Sequence, residues 1–315
     1  MTPTEVDFIT KTIETEEKSF GYQKDQYAFD LLSLYTENGK DVNAIRNSRF
    51  GHLLEKPMVK EVMASRGSKK LNELFCNQQW KQQKQFNYTI DTWGKYTKHR
   101  NDDWYQTSRS GINLVLQLNF DFEHNTKYFQ YLNPNKDYHP FVWNCHPVKK
   151  GGGFTMAWAR LDVDLDTGEA LIEEIQTDWL REARDDAEEA RNIIRKDKHK
   201  QNWLKNKSWR SMLTYYEEHL MEYIKLWDEA VLDASLMFLI KELGCRSIYY
   251  HTFETGCQLK GLGQAYSRPP RSLYTRLPKK FGFRETDEAP TLLKKEKLLK
   301  KRLRDRSLRW YEMNL

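Results

Sequence analysis

Apolar and polar residues alternate most regularly in the middle of the chain. Leu114, Leu116, Leu118, Phe120 and Phe122 alternate with Gln117, Asn119 and Asp121, which predicts a half-buried strand. A turn at Glu123-His124-Asn125-Thr126 and a partner strand through Tyr131 continue that reading. Phe154 to Leu165 alternates again, with Leu161, Val163 and Leu165 opposite Arg160, Asp162 and Asp164. Asp166-Thr167-Gly168 supplies hairpin turn chemistry, so Glu169 to Asp178 returns antiparallel.

A helical period governs both flanks. Tyr27, Leu31, Leu32 and Tyr35 recur at three- and four-residue steps, and Glu5 to about Trp80 reads as helical, whereas residues 81–110 have no clear period and read as mostly irregular. Beyond Trp179 the chain is helical and charged to Ile194, then basic to Arg210, then helical again from Met212 to Leu243. There Trp227, Ala230, Val231, Ala234, Met237 and Phe238 form one stripe and Gly244 suits the C-cap. Ile248, Tyr249 and Tyr250 follow directly, as in a strand reached by an α-crossover. A short helix over Arg271 to Leu277 and a strand over Lys280 to Arg284 come next. Leu292, Leu299, Leu303 and Trp310 share one side of a basic amphipathic helix.

These elements predict an α/β protein with a mixed, mainly antiparallel sheet flanked by helices. Three parts are expected: a helical N-terminal cap over 1–110, an α/β core over 111–288 with a charged helical insertion at 180–211, and a basic C-terminal helix over 289–315.

Ala170 to Trp179 holds charges where a core strand is ordinarily apolar. Under strict alternation Ile172, Glu174, Gln176 and Asp178 point one way, and Leu171, Glu173, Ile175 and Trp179 the other. The polar row is either a site at the strand end or a solvated face with Asp178 as a helix N-cap. Tyr250 and His251 end a strand beside the same cleft, and with Gln176 and Trp179 they are candidate substrate contacts.

Composition narrows the class. Aromatic residues make up 13% of 315 residues, enough large side chains for a packed core. No window holds the unbroken apolar run of a signal peptide or membrane span, so a cytoplasmic protein is expected, without a membrane partner. Four scattered Cys and eight dispersed His have no ligand spacing, and no intrinsic metal is expected. The net charge of +6 is unevenly placed: Arg195 to Arg210 carries +6 and Lys294 to Arg309 carries +7, leaving −7 for the rest. Lys200, Trp203, Lys205, Lys207, Trp209 and Arg210 interleave cations with aromatic rings, chemistry suited to nucleic acid or to a solvated helix with its Trp tucked inward.

The antiparallel hairpin, helix, strand, short helix bearing Leu273-Tyr274 and strand opening on Gly282-Phe283 resembles the GNAT N-acyltransferase fold over roughly residues 110–288. More narrowly, Glu174-Ile175-Gln176-Thr177-Asp178-Trp179, with Glu242-Leu243-Gly244 and Ser272-Leu273-Tyr274, is similar to a domain of phage and mobile-element polyvalent proteins. The GNAT resemblance implies acyl transfer from acetyl-CoA or another acyl-CoA, with Glu174 or Asp178 accepting the amine proton and Tyr274 protonating the departing thiolate. It departs from the family where the CoA pyrophosphate would sit, because Gln176 to Arg181 contains no glycine. The rival expectation is a noncatalytic protein that binds nucleic acid or a host protein through its basic segments.

Overall fold

The computed structural model describes residues 1–13, 18–37, 39–66, 80, 83–95, 106–134, 139–149, 153–196, 203–262, 268–296, 299, 302–304 and 307–314; at 65, 66, 95, 203–207 and 302 it describes the backbone only. Among these residues eight strands form one sheet. They are β1 (Lys18–Tyr22), β2 (Lys84–Lys95), β3 (Gly111–Phe120), β4 (Thr155–Asp164), β5 (Glu169–Gln176), β6 (Ser247–His251), β7 (Arg284–Thr286) and β8 (Trp310–Asn314). Their order is β1-β2-β3-β4-β5-β6-β8-β7. Every neighbouring pair is antiparallel except β5 and β6, which run parallel across the long helical crossover. The fold is thus mixed α/β and mainly antiparallel, as the alternation predicts.

Four local expectations fail. The strand read over Lys280 to Arg284 begins only at Arg284, because Arg276–Lys280 is helical and the chain turns at Gly282, φ 85°. Phe122–Leu132 is a helix and not the second strand of a hairpin: the Asp121 side chain accepts from the His124 N–H at 2.7 Å, a side-chain N-cap, and the helix stops at Asn133 with φ 41°. Alternation ends at Phe120, and beyond it His124 and Tyr128, one helical turn apart, are the buried residues. Residues 84–95, read as irregular, form β2 and bond along the whole of β3, so with β1 the first 110 residues contribute strands to the sheet as well as helices. The C-terminal segment is a short helix, Thr291–Lys294, followed by β8 inserted between β6 and β7. Trp310 packs beside Leu171 and Tyr249, while Tyr311 and Met313 join the main core on the opposite face, a strand pattern that the spacing of four apolar residues conceals.

One sheet face is conventional. The Met221–Met237 helix packs on β4 and β5, and its Ala230, Val231 and Ala234 share one apolar core with Ala157, Ala159 and Leu161 of β4 and Ile172 and Ile175 of β5. On the other face the polar residues that alternate with this apolar row, Arg160, Asp162 and Asp164, are all under 5% exposed. Asp164 is met by Lys295 and Asp162 by Arg109 and the Met1 ammonium, while Arg160 pairs with Glu174 on the neighbouring strand and donates to the Gln106 carbonyl oxygen of a crossing segment. The polar row of the hairpin is therefore a docking layer for chain crossing over it, held by ion pairs because buried charge is tolerated only when paired.

A second buried acid carries a pH prediction. Asp233 on the Met221–Met237 helix is fully buried, and burial together with the Asp30 carboxylate pushes its pKa well above the ordinary 3.8, so it keeps its proton in the fold. A raised native pKa means that its contribution to stability is complete in acid and is lost as pH rises. Asp233→Asn is expected to melt higher than the parent at pH 8, with the gain shrinking toward pH 4. Calorimetric melting at both pH values checks this, and a gain that does not depend on pH refutes it.

Candidate active site

The segment singled out by its charges contains a β-bulge. Arg160 pairs with Glu174 and Leu161 with Ile172, so Glu173 is the extra residue of β5. Ile172 and Ile175 are three apart and both join the apolar core, which strict alternation forbids. The bulge absorbs the odd residue and sends both carboxylates to the polar face, whereas alternation had placed Glu173 and Glu174 on opposite ones. The parallel ladder to β6 also ends at Ile172 and Tyr250, and Lys260 donates to the Glu173 carbonyl oxygen just beyond it.

Both carboxylates are closed in. Glu173 accepts from the Ser108 N–H (3.0 Å) and hydroxyl (2.8 Å) and lies 3.2 Å from His251 Nε2. Burial pushes Glu173 up, but the hydrogen bond from His251 and the charges of Lys260 and Arg160 outweigh it and hold the pKa near 2. Ser108, His251 and Glu173 do not form a nucleophile relay, because serine and carboxylate both face Nε2 while Nδ1 has no hydrogen-bond partner among the described residues. Glu174 bonds Arg160 and lies 3.7 Å from Lys260. Burial raises its pKa, and the Arg160 and Lys260 charges pull it below the ordinary glutamate value. A general base for an amine needs the opposite shift, so Glu174 does not suit that role.

Tyr250, His251 and Tyr274 sit around this network at 0–2% exposure. Among the described residues the Tyr250 and Tyr274 hydroxyls have no hydrogen-bond partner, and burial followed by nearby acids raises both far above an ordinary phenol. Trp179 is core: its ring meets Phe120, Tyr128, Phe141 and Phe154, and its Nε1 donates to the Tyr215 hydroxyl at 2.9 Å. Of the basic cluster, Lys200 lies outside the described residues, as do the side chains of Trp203, Lys205 and Lys207; Trp209 is half-buried and Arg210 exposed.

The open chemistry lies past the end of β5. Thr177, and not Asp178, caps the Trp179–Lys196 helix, its hydroxyl accepting from the Leu180 N–H at 3.2 Å. Asp178 is thereby free to gather donors: His146 Nδ1 (2.8 Å), Gln176 Nε2 (2.6 Å), Arg181 (3.0 Å) and Trp158 Nε1 (3.3 Å). Burial raises the Asp178 pKa and His146, Gln176 and Trp158 more than reverse it, so the carboxylate stays ionised. Since a carboxylate only accepts, Nδ1 carries a proton toward Asp178, and in the neutral imidazole this leaves the lone pair on Nε2. The His146 side chain is 29% exposed, and its Nε2 has no hydrogen-bond partner among the described residues. The exposed Trp143 ring stacks on it at 5.8 Å. Beside Asp178, between Val148, Thr155 and Trp158, is a hollow of about 10 Å³, room for roughly one water.

Sequence reasoning missed His146, Arg160, Lys260 and Ser108 as partners of the acids. His146 stands in an aperiodic loop, and no pattern ties it to Asp178, 32 positions later; the only legible sign of the bulge is the Ile172-Glu-Glu-Ile175 spacing. No protein-family model, curated protein or solved structure matches the chain. Among the described residues no group of three or more metal-ligating side chains is gathered, and no helix is long and apolar enough to cross a membrane. At the start of the Trp179–Lys196 helix the Thr177 hydroxyl takes the Leu180 amide and an ionised Asp178 adjoins it, two features that disfavour an anion there.

Proposed function

We propose that the chain is a cytosolic group-transfer enzyme, of the phage or mobile-element kind that the resemblance implies, in which His146 is the general base and Asp178 its orienter. The observation that carries this reading is the 2.8 Å contact between a buried carboxylate and His146 Nδ1, which leaves Nε2 open at the C-terminal end of a sheet strand. Ligands of open α/β sheets bind at such strand ends. An incoming amine or hydroxyl gives its proton to Nε2 as its electron pair attacks the electrophilic carbon of an acyl-type donor. The imidazolium, stabilised by Asp178, then returns the proton to the leaving group. No step is routed through CoA, because the adjoining helix start carries an ionised Asp178 and has one amide taken by Thr177.

The full chain is to be incubated with acyl phosphates, simple thioesters and activated esters against a panel of amines, with products read by mass spectrometry. For any productive pair, Asp178→Asn is expected to lower kcat/KM by roughly 10²-fold or more, because the imidazole loses its orienting charge. An unchanged rate in that variant would remove Asp178, and the dyad with it, from the chemistry.

A further inference from the structure

A cleft of about 470 Å³ opens between the Phe253–Leu259 helix and the turn Arg271–Tyr274, and it shares no lining residue with the hollow beside Asp178. Its volume lies within the roughly 300–1,000 Å³ of small-molecule sites. Phe253, Cys257 and Leu262 make an apolar wall, and Glu254, Arg268 and Arg271 the charged rim. The two arginines differ. Arg271 pairs with Glu254 and lies over the Phe253 ring at 4.3 Å, so its charge is already met. Arg268 is exposed and has neither ion pair nor hydrogen bond among the described residues, so within that set its guanidinium is the rim charge not already met, beside the wall of Phe253, Cys257 and Leu262.

We propose that this cleft binds a small anionic molecule with an apolar body, its carboxylate or phosphate on Arg268 and its body against Phe253, Cys257 and Leu262. A guanidinium fork matches both oxyanions, and the wall rewards apolar area removed from water. The neutral cleft of an ordinary surface depression would select for neither feature.

Calorimetric titration of the full chain with octanoate, octyl phosphate, octanol and inorganic phosphate separates the contributions. Saturable binding of octanoate or octyl phosphate is expected, at least tenfold tighter than octanol or phosphate alone; binding of only one of the two anions assigns the head group. Arg268→Glu, on an exposed side chain, should weaken binding at least tenfold with unchanged melting. Bound ligand should also slow alkylation of Cys257 by iodoacetamide while the exposed Cys145 reacts at its former rate. The proposal is overturned if neither anion saturates, if octanol binds equally well, if Arg268→Glu binds like the parent, or if Cys257 gains no protection.

Discussion

Glu174→Ala is expected to lower the free energy of unfolding by about 3–5 kcal/mol, the cost of leaving buried charge without its partner. Arg160 is 2% exposed and the Lys260 side chain 3%, and Glu174 is the carboxylate nearest to both, with Glu173 the next acid that feels their charge. Against a total stability of roughly 5–15 kcal/mol for a folded domain, such a loss brings the chain close to unfolding at room temperature. Arg184→Ala removes a pair whose side chains are more than half exposed, and it should cost under about 1 kcal/mol. Urea titration of the two variants against the parent gives both numbers. A Glu174→Ala loss no larger than that of Arg184→Ala would show that the closed ion network does not hold the fold.

The same network fixes how the fold responds to acid. Glu173, near 2, and Glu174 both have native pKa values below the ordinary 4.5, so the unfolded chain takes up protons more readily than the native one. Their contribution is complete above about pH 5 and drains away as pH falls from there toward 2. Asp233 titrates in the opposite sense, which separates the two groups in a single pH series.

His146→Ala is expected to reduce kcat/KM of any transfer by roughly 10²–10⁴-fold, the usual worth of a positioned general base. Melting should move little, because the imidazole is 29% exposed and Asp178 keeps Gln176, Arg181 and Trp158 as donors. Free imidazole at millimolar concentration should restore part of the rate by occupying the space that the side chain leaves. Full activity in His146→Ala, or a collapse of the fold in its place, would remove the proton-transfer role from this loop.

The contrast between Glu174 and His146 shows what one-dimensional reading reaches. The charged strand end was legible as an anomaly, and Asp178 and Gln176 do stand at the rim. Which acid is open to chemistry was not, because that depends on Arg160 fourteen residues before Glu174, Lys260 far after it, and a loop histidine with no periodic neighbours. The helix over Phe122–Leu132 was hidden for a simpler reason: Phe122 continues the alternation of β3 by one residue although its side chain is 85% exposed.

What the residues determined alone were the elements with strong local period: β3, the β4–β5 hairpin with its Asp-Thr-Gly turn, the long crossover helix and the strand that follows it, and hence a mixed sheet. Each of these needs only its own side chains sorted between water and core, which is a property of nearest neighbours along the chain. Tertiary structure decided the rest. Whether a carboxylate becomes a structural anchor or the orienter of a base is set by the charges that distant segments bring within a few ångströms, and electrostatic energy depends on distance in space and not on separation in sequence.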